Sequence, residues 1–139
     1  MRVQVKHRLA KLRHFRVRNK ISGTAERPRM SVCFTGRNIH VQFIDDVAGK
    51  TLVALSTTSK IAPNREKLAA NVVSAIAIGK LAGEMAKAKG IVAVVFDRGS
   101  SKYRGAKTET GKDGKPVLVG KDGKLAALAR AAREAGLKF

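Results

Sequence analysis

Between Pro28 and Thr58 the chain reads PRMSVCFTGRNIHVQFIDDVAGKTLVALSTT, three short runs rich in β-branched and aromatic residues. They are broken by Thr35-Gly36-Arg37-Asn38 and by Asp45-Asp46-Val47-Ala48-Gly49-Lys50. Gly, Asn and Asp favour tight turns, and each run has strand length, so this stretch predicts a three-stranded antiparallel meander. A chain built around such a meander needs further elements to cover the sheet, and the sequence after it supplies them.

From Pro63-Asn64 to Lys89, Leu68, Val72, Ile76, Gly79 and Gly83 fall roughly on one helical face. Asn64 reads as the N-cap, Glu66 suits the first turn and Gly90 marks the stop. Ile91 to Phe96 is an unbroken apolar run, as expected of a strand covered on both faces. Strand, helix and strand in one sheet imply a right-handed crossover. Leu125, Leu128, Ala129, Ala132 and Ala135 recur at helical spacing, with Arg130, Arg133 and Glu134 outward and Gly136 as the stop. The expected fold class is α/β, a β-β-β-α-β-α sandwich with a mixed four-stranded sheet. Between its last strand and last helix, Thr108-Glu109-Thr110, Gly111-Lys112-Asp113-Gly114 and Lys115 to Val119 read as strand, turn and strand, a short β-hairpin. The pentapeptide GKDGK occurs at 111–115 and again at 120–124, and both copies read as turn punctuation.

The 139 residues fit one domain. Residues 1–26 read as a basic N-terminal arm and 27–139 as a single α/β domain. In the arm, VKHRLAKLRHFRVRNKIS puts Val5, Leu9 and Leu12 on one helical side, with helix expected only on binding. Cys33, the one cysteine, lies in the apolar run Met30-Ser31-Val32-Cys33-Phe34. No disulfide framework exists, and a buried thiol is expected.

Charge narrows the function. Lys and Arg number 29 against 10 Asp and Glu, for a net +19. Residues 1–29 carry ten bases and one acid, residues 30–97 eight and five, and residues 98–139 eleven and four. So basic a chain repels itself unless its partner is a polyanion whose counterions are released on binding. Nucleic acid comes first. An anionic membrane is disfavoured, because the basic segments have no large apolar face and no window reaches the roughly 18 apolar residues of a membrane helix. The N-terminus lacks the apolar core of a secretory signal, so a cytoplasmic protein is expected.

Catalytic motifs fail on spacing. A phosphate-cradling Walker loop would need a glycine where Ile44 stands before Gly49-Lys50-Thr51, and Gly99 to Gly105 is followed by Ala106. Asp45-Asp46 sits in a turn, where such residues cap their own backbone, and Asp97 ends a strand, where an ion pair or turn bond is the plain reading. His7, His14 and His40 have no ligand-spaced cysteine or carboxylate, and no serine lies in a nucleophile elbow. The competing reading is a magnesium-dependent nuclease using Asp45 and Asp97 on neighbouring strands, with Glu66 or Glu84 as a third carboxylate. No enzyme activity, cofactor or metal is expected under the leading reading. Aromatics make up 4% of the chain, Tyr103 is the only tyrosine and there is no tryptophan, so this is not a base-stacking platform. With no helix-turn-helix or zinc finger visible, sequence-specific DNA readout is disfavoured, and structured RNA recognised by backbone and shape is favoured.

Five separated stretches carry a resemblance: Ser22-Gly23-Thr24-Ala25-Glu26-Arg27-Pro28-Arg29, Val41-Gln42-Phe43-Ile44-Asp45-Asp46, Gly49-Lys50-Thr51-Leu52, Val95-Phe96-Asp97-Arg98-Gly99 and Ala131-Ala132-Arg133-Glu134-Ala135-Gly136-Leu137. In that order they resemble the family of bacterial large-subunit ribosomal protein 18, which binds 5S ribosomal RNA. The resemblance implies a structural role in the cytoplasmic ribosome, with 5S rRNA, large-subunit (23S-type) rRNA and neighbouring ribosomal protein five as partners. It implies neither membrane nor DNA binding, and no homo-oligomer. Although the family usually has Gly and Tyr where Ser100 and Ser101 stand and His where Arg104 stands, the matched positions, with the basic and polar residues around them, give the expected RNA contacts. In the arm these are Arg2, Lys6, His7, Arg8, Lys11, Arg13, His14, Arg16, Arg18 and Lys20. Arg29 follows, then Arg37 and Asn38 in the first hairpin turn. The last group is Arg98, Gly99, Ser100, Ser101, Lys102, Tyr103, Arg104 and Gly105 in the loop after the fourth strand. Arg forks two donors onto phosphate, and glycine admits close backbone approach. Against the family pattern, Phe34 stands where a basic residue is common and His40 where a tyrosine is. The family also passes almost directly from the glycine at 105 into the last helix, so Ala106 to Gly123 is an insertion.

Overall fold

A computed structural model describes residues 2–62, 65–105, 107–110, 116–119 and 121–139. Its elements run α1 (Val3–Arg18), β1 (Arg29–Phe34), β2 (Ile39–Asp45), β3 (Lys50–Ser56), α2 (Val72–Ala88), β4 (Val95–Asp97), β5 (Lys107–Thr110), β6 (Pro116–Val119) and α3 (Lys124–Glu134). The meander forms as its turns dictate, with β1 antiparallel to β2 and β2 antiparallel to β3. β4 adds parallel to β1, which completes a mixed sheet of order β3-β2-β1-β4.

Side chains alternate across that sheet. Met30 and Val32, then Ile39, Val41 and Phe43, then Val53 and Leu55 are buried in one core with Ala75, Ile78, Ala82 and Leu128 from the helices. The intervening residues Cys33, Gln42 and Ala54 face solvent. Cys33 is therefore exposed, contrary to the expected buried thiol. Period 2 decides this: once Met30 and Val32 point inward, Cys33 points out.

α2 begins at Val72, later than the periodicity predicted. Its N-cap is Asn71, whose side-chain oxygen accepts the Ser74 N–H at 2.8 Å. Pro63 and the expected cap Asn64 lie outside the described residues. The last strand is also shorter than expected. Ile91 and Val94 are buried, yet this part of the run pairs with the chain's own end: Val94 N–H donates to the Lys138 carbonyl at 3.0 Å and Lys138 N–H to the Val92 carbonyl at 2.9 Å. Phe96 stacks on Phe139, with ring centroids 5.0 Å apart. Gly90 and Gly136 end their helices with φ of 76° and 101°, the left-handed stop that glycine adopts without strain.

α2 and α3 pack through small residues. A methyl group on Gly79 would come within 2.5 Å of the Leu128 carbonyl oxygen, and one on Gly83 would collide with the Ala135 methyl. The hairpin forms as read: β5 pairs antiparallel with β6, from Lys107 opposite Val119 to Thr110 opposite Pro116. Its expected turn at 111–115 lies outside the described residues.

Candidate nucleic-acid interface

None of residues 1–25, 35–38 and 98–105 is an Asp or Glu, and these acid-free segments hold all the expected RNA contacts except Arg29. The fold sets their relative positions. β1 and β4 run parallel with Ser31 opposite Asp97, so the turn after β1 and the loop after β4 leave the sheet at the same end. Lys124, at the start of α3, lies 5.6 Å over the Phe34 ring near that end.

Residues 35–38 are fixed by their own side chains. Thr35 Oγ1 accepts the Asn38 N–H at 2.9 Å, and Asn38 Oδ1 accepts from the Thr57 hydroxyl at 3.0 Å. Arg37 is left exposed at the tip, while Asn38 is half-buried and holds the turn. In the second loop Gly99 has φ of 57°, a conformation glycine favours, and its N–H donates to Asp97 Oδ1 at 2.8 Å. Arg98, Lys102, Tyr103, Arg104 and Gly105 are exposed, and Gly99, Ser100 and Ser101 are half-buried. The loop closes where Gly123 N–H donates to the Arg104 carbonyl at 2.8 Å.

α1 is helical as it stands, with no acidic residue in its first turn and Arg16 and Arg18 in its last, where cations suit the helix dipole. It buries no residue fully. Ala10, His14 and Val17 are half-buried at one helical face, whereas Val5, Leu9 and Leu12 are exposed. A methyl group on Gly99 would lie 3.5 Å from His14 Nδ1, so the helix crosses next to the second loop. Arg2, Lys6, His7, Arg8, Lys11, Arg13, Arg16, Arg18 and Lys20 are all exposed.

Arg29 is placed differently from the other expected contacts. It is 2% exposed and its guanidinium serves two carboxylates. Nε and Nη2 bind Asp46 at 2.8 and 2.7 Å in a fork, and Nη1 binds fully buried Asp97 at 3.0 Å. Arg29 was expected to touch RNA; β1 alternation places it on the sheet face that residues 21–28 and α1 approach, and Asp46 and Asp97 hold it there. Asp46 Oδ2 also accepts the Gly23 N–H at 2.8 Å, and Arg18 Nη2 lies 4.0 Å from Asp46 Oδ1. The Arg29 hydrogen bonds above all hold the Asp46 carboxyl down at about 2, and that same bond raises the Arg29 guanidinium.

Asp45 caps its own turn as read, its Oδ1 accepting from Val47 and Ala48 N–H groups at 3.0 and 3.2 Å. The nuclease reading placed Asp45 and Asp97 on neighbouring strands, but β1 separates β2 from β4. Among the described residues no three His, Cys, Asp or Glu side chains gather as metal ligands, and no helix is long and apolar enough to cross a membrane. The Arg29 pairing was missed in the sequence. Its signal was the Asp-Asp pair at 45–46, one of which could cap the turn while the other answered a nearby arginine.

The family model described as ribosomal L18 of archaea, bacteria, mitochondria and chloroplast matches residues 4–110. The chain belongs to the ribosomal L18 family. Curated relatives agree, each named large ribosomal subunit protein uL18. That of Lactobacillus delbrueckii subsp. bulgaricus is 48% identical over 134 residues, covering 96% of this chain and 95% of the relative. That of Alkaliphilus oremlandii is 46% identical over 127 residues, 91% of this chain and 89% of the relative. That of Fusobacterium nucleatum is 47% identical over 123 residues, 88% and 86%. The L18 family match runs from residue 4 to residue 110, inside the hairpin, so it takes in α1 from its second residue, the first turn and the loop at 98–105.

Proposed function

We propose that this L18 chain binds 5S rRNA and helps attach it to large-subunit rRNA beside neighbouring ribosomal protein five. Family membership makes the chain a structural component of the large subunit of the cytoplasmic ribosome. The finer reading is supported above all by the meeting of α1 with the loop at 98–105, two acid-free segments joined at His14 and Gly99. Their arginines and lysines are suited to phosphates along a folded RNA, and Tyr103, 43% exposed, to a base or ribose. Contacts of this kind position the protein by backbone and shape. Residues 1–26 then act as the RNA-binding arm of a single α/β domain.

The test is binding to folded 5S rRNA and to DNA duplex of equal length across a salt series. The reading expects affinity for 5S rRNA to fall steeply with salt and the DNA to bind much more weakly. Equal affinity for both at physiological salt would overturn it.

A further inference from the structure

Arg29 and Asp97 are the most enclosed charges of the described structure, and their hydrogen bonds reach the loop at 98–105 on one side and, through Asp46, the chain leaving α1 on the other. Asp97 holds Arg29 Nη1 at 3.0 Å with one oxygen and the Gly99 N–H at 2.8 Å with the other. Through Gly99, the residue beside His14, this fixes where the loop leaves β4. At its other end Arg29 forks onto Asp46. Asp46 in turn holds the Gly23 N–H at 2.8 Å, and the Asp46 N–H donates to the Gly23 carbonyl at 3.0 Å. Gly23 has no room for a side chain: a methyl group there would collide with the Arg29 backbone and the Ile44 carbonyl. The chain leaving α1 is thus pinned at one end of a guanidinium and the loop at the other.

We propose that Arg29 and Asp97 are positioning residues for RNA binding, setting the root of α1 and the loop at 98–105 in one register before RNA arrives. Rigid preorganisation of this kind lowers the ordering cost of association. The inference rests on the 5S rRNA reading above and adds which internal groups set its geometry. Neither residue touches RNA. Charge and geometry therefore predict opposite outcomes for one substitution. Asp97→Asn makes the protein more basic, so nonspecific attraction to a polyanion rises. It also removes the carboxylate that aligns Arg29 and Gly99, so recognition of a particular RNA shape falls.

The experiment measures 5S rRNA and duplex DNA affinity, with thermal midpoints, for the wild type, Asp97→Asn and Arg29→Lys. A lysine keeps the charge but cannot fork across two carboxylates. Expected is roughly tenfold weaker 5S rRNA binding for both variants, with DNA binding no weaker than wild type. A destabilised protein would lose both. If either single variant melts below the assay temperature, the triple variant R29M/D46N/D97L carries the test, because it replaces the whole charged group while the asparagine at position 46 keeps an acceptor for the Gly23 N–H. It too is expected to lose 5S rRNA affinity while keeping DNA affinity. Folded variants that bind 5S rRNA as tightly as wild type overturn the positioning role. A wild type with no preference for 5S rRNA over DNA instead contradicts the function proposed above.

Discussion

The Arg104 carbonyl accepts the Gly123 N–H at 2.8 Å, so the chain leaving the loop at 98–105 meets the chain entering α3 before the hairpin begins. The insertion hangs from a closed neck. Asp122 and Arg130 brace it further, 2.7 Å apart.

Joining Gly105 directly to Lys121 therefore leaves the main sheet and its helices intact. Shortening the loop between these touching ends lowers its closure cost by about 0.6 kcal/mol per halving, so a change of no more than about 2 kcal/mol, towards greater stability, is expected. Thermal unfolding by circular dichroism checks it. A fall of the midpoint by ten degrees or more would show that the hairpin supports the core.

Gly79→Ala tests the helix pair. Helix propensity alone favours alanine by about 1 kcal/mol. The added methyl must displace the Leu128 carbonyl, 2.5 Å from where it would sit, and overpacking of this kind costs about 1–3 kcal/mol. Net destabilisation is expected in urea unfolding, and a more stable variant would refute the close packing.

Stability should also fall in acid through Asp46. Its folded pKa of about 2 lies below the ordinary 3.8, chiefly because Arg29 donates to it. A depressed carboxyl adds stability that is complete above its ordinary pKa and disappears as pH falls through the folded one. The window is therefore about pH 4 down to 2. Asp46→Asn should start less stable at neutral pH and lose less than wild type within that window, as followed by unfolding at stepped pH.

Much of this architecture was legible in the sequence because it follows from local chemistry. Turn residues at 35–38 and 45–50 set the meander, and Gly90 and Gly136 mark the helix stops. What escaped reading depended on contacts between distant residues. The apolar run 91–96 gave no sign that its first half would pair with Lys138. The exposed position of Cys33 required knowing which face Met30 would take. In the candidate site, the basic character of α1 and of 98–105 was plain, but Arg29 looked like any other arginine. Only the approach of Asp46 and Asp97, 17 and 68 positions away, turned it inward.

Removing residues 1–20 separates binding from folding. α1 buries no residue fully, so the midpoint should move by only a few degrees. The deletion takes away eight of the arginines and lysines, and affinity for 5S rRNA should drop at least about a hundredfold at moderate salt. The slope of log affinity against log salt should shrink by roughly one for each phosphate that α1 no longer neutralises. An unchanged slope would remove α1 from the interface.

Crosslinking within assembled large subunits, read out by mass spectrometry of peptide–nucleotide adducts, tests the central claim most directly. Adducts to 5S rRNA are expected in α1 and at Arg98 to Gly105, with Tyr103 prominent. Adducts confined to the exposed faces of α2 and α3, or none to 5S rRNA at all, would contradict it.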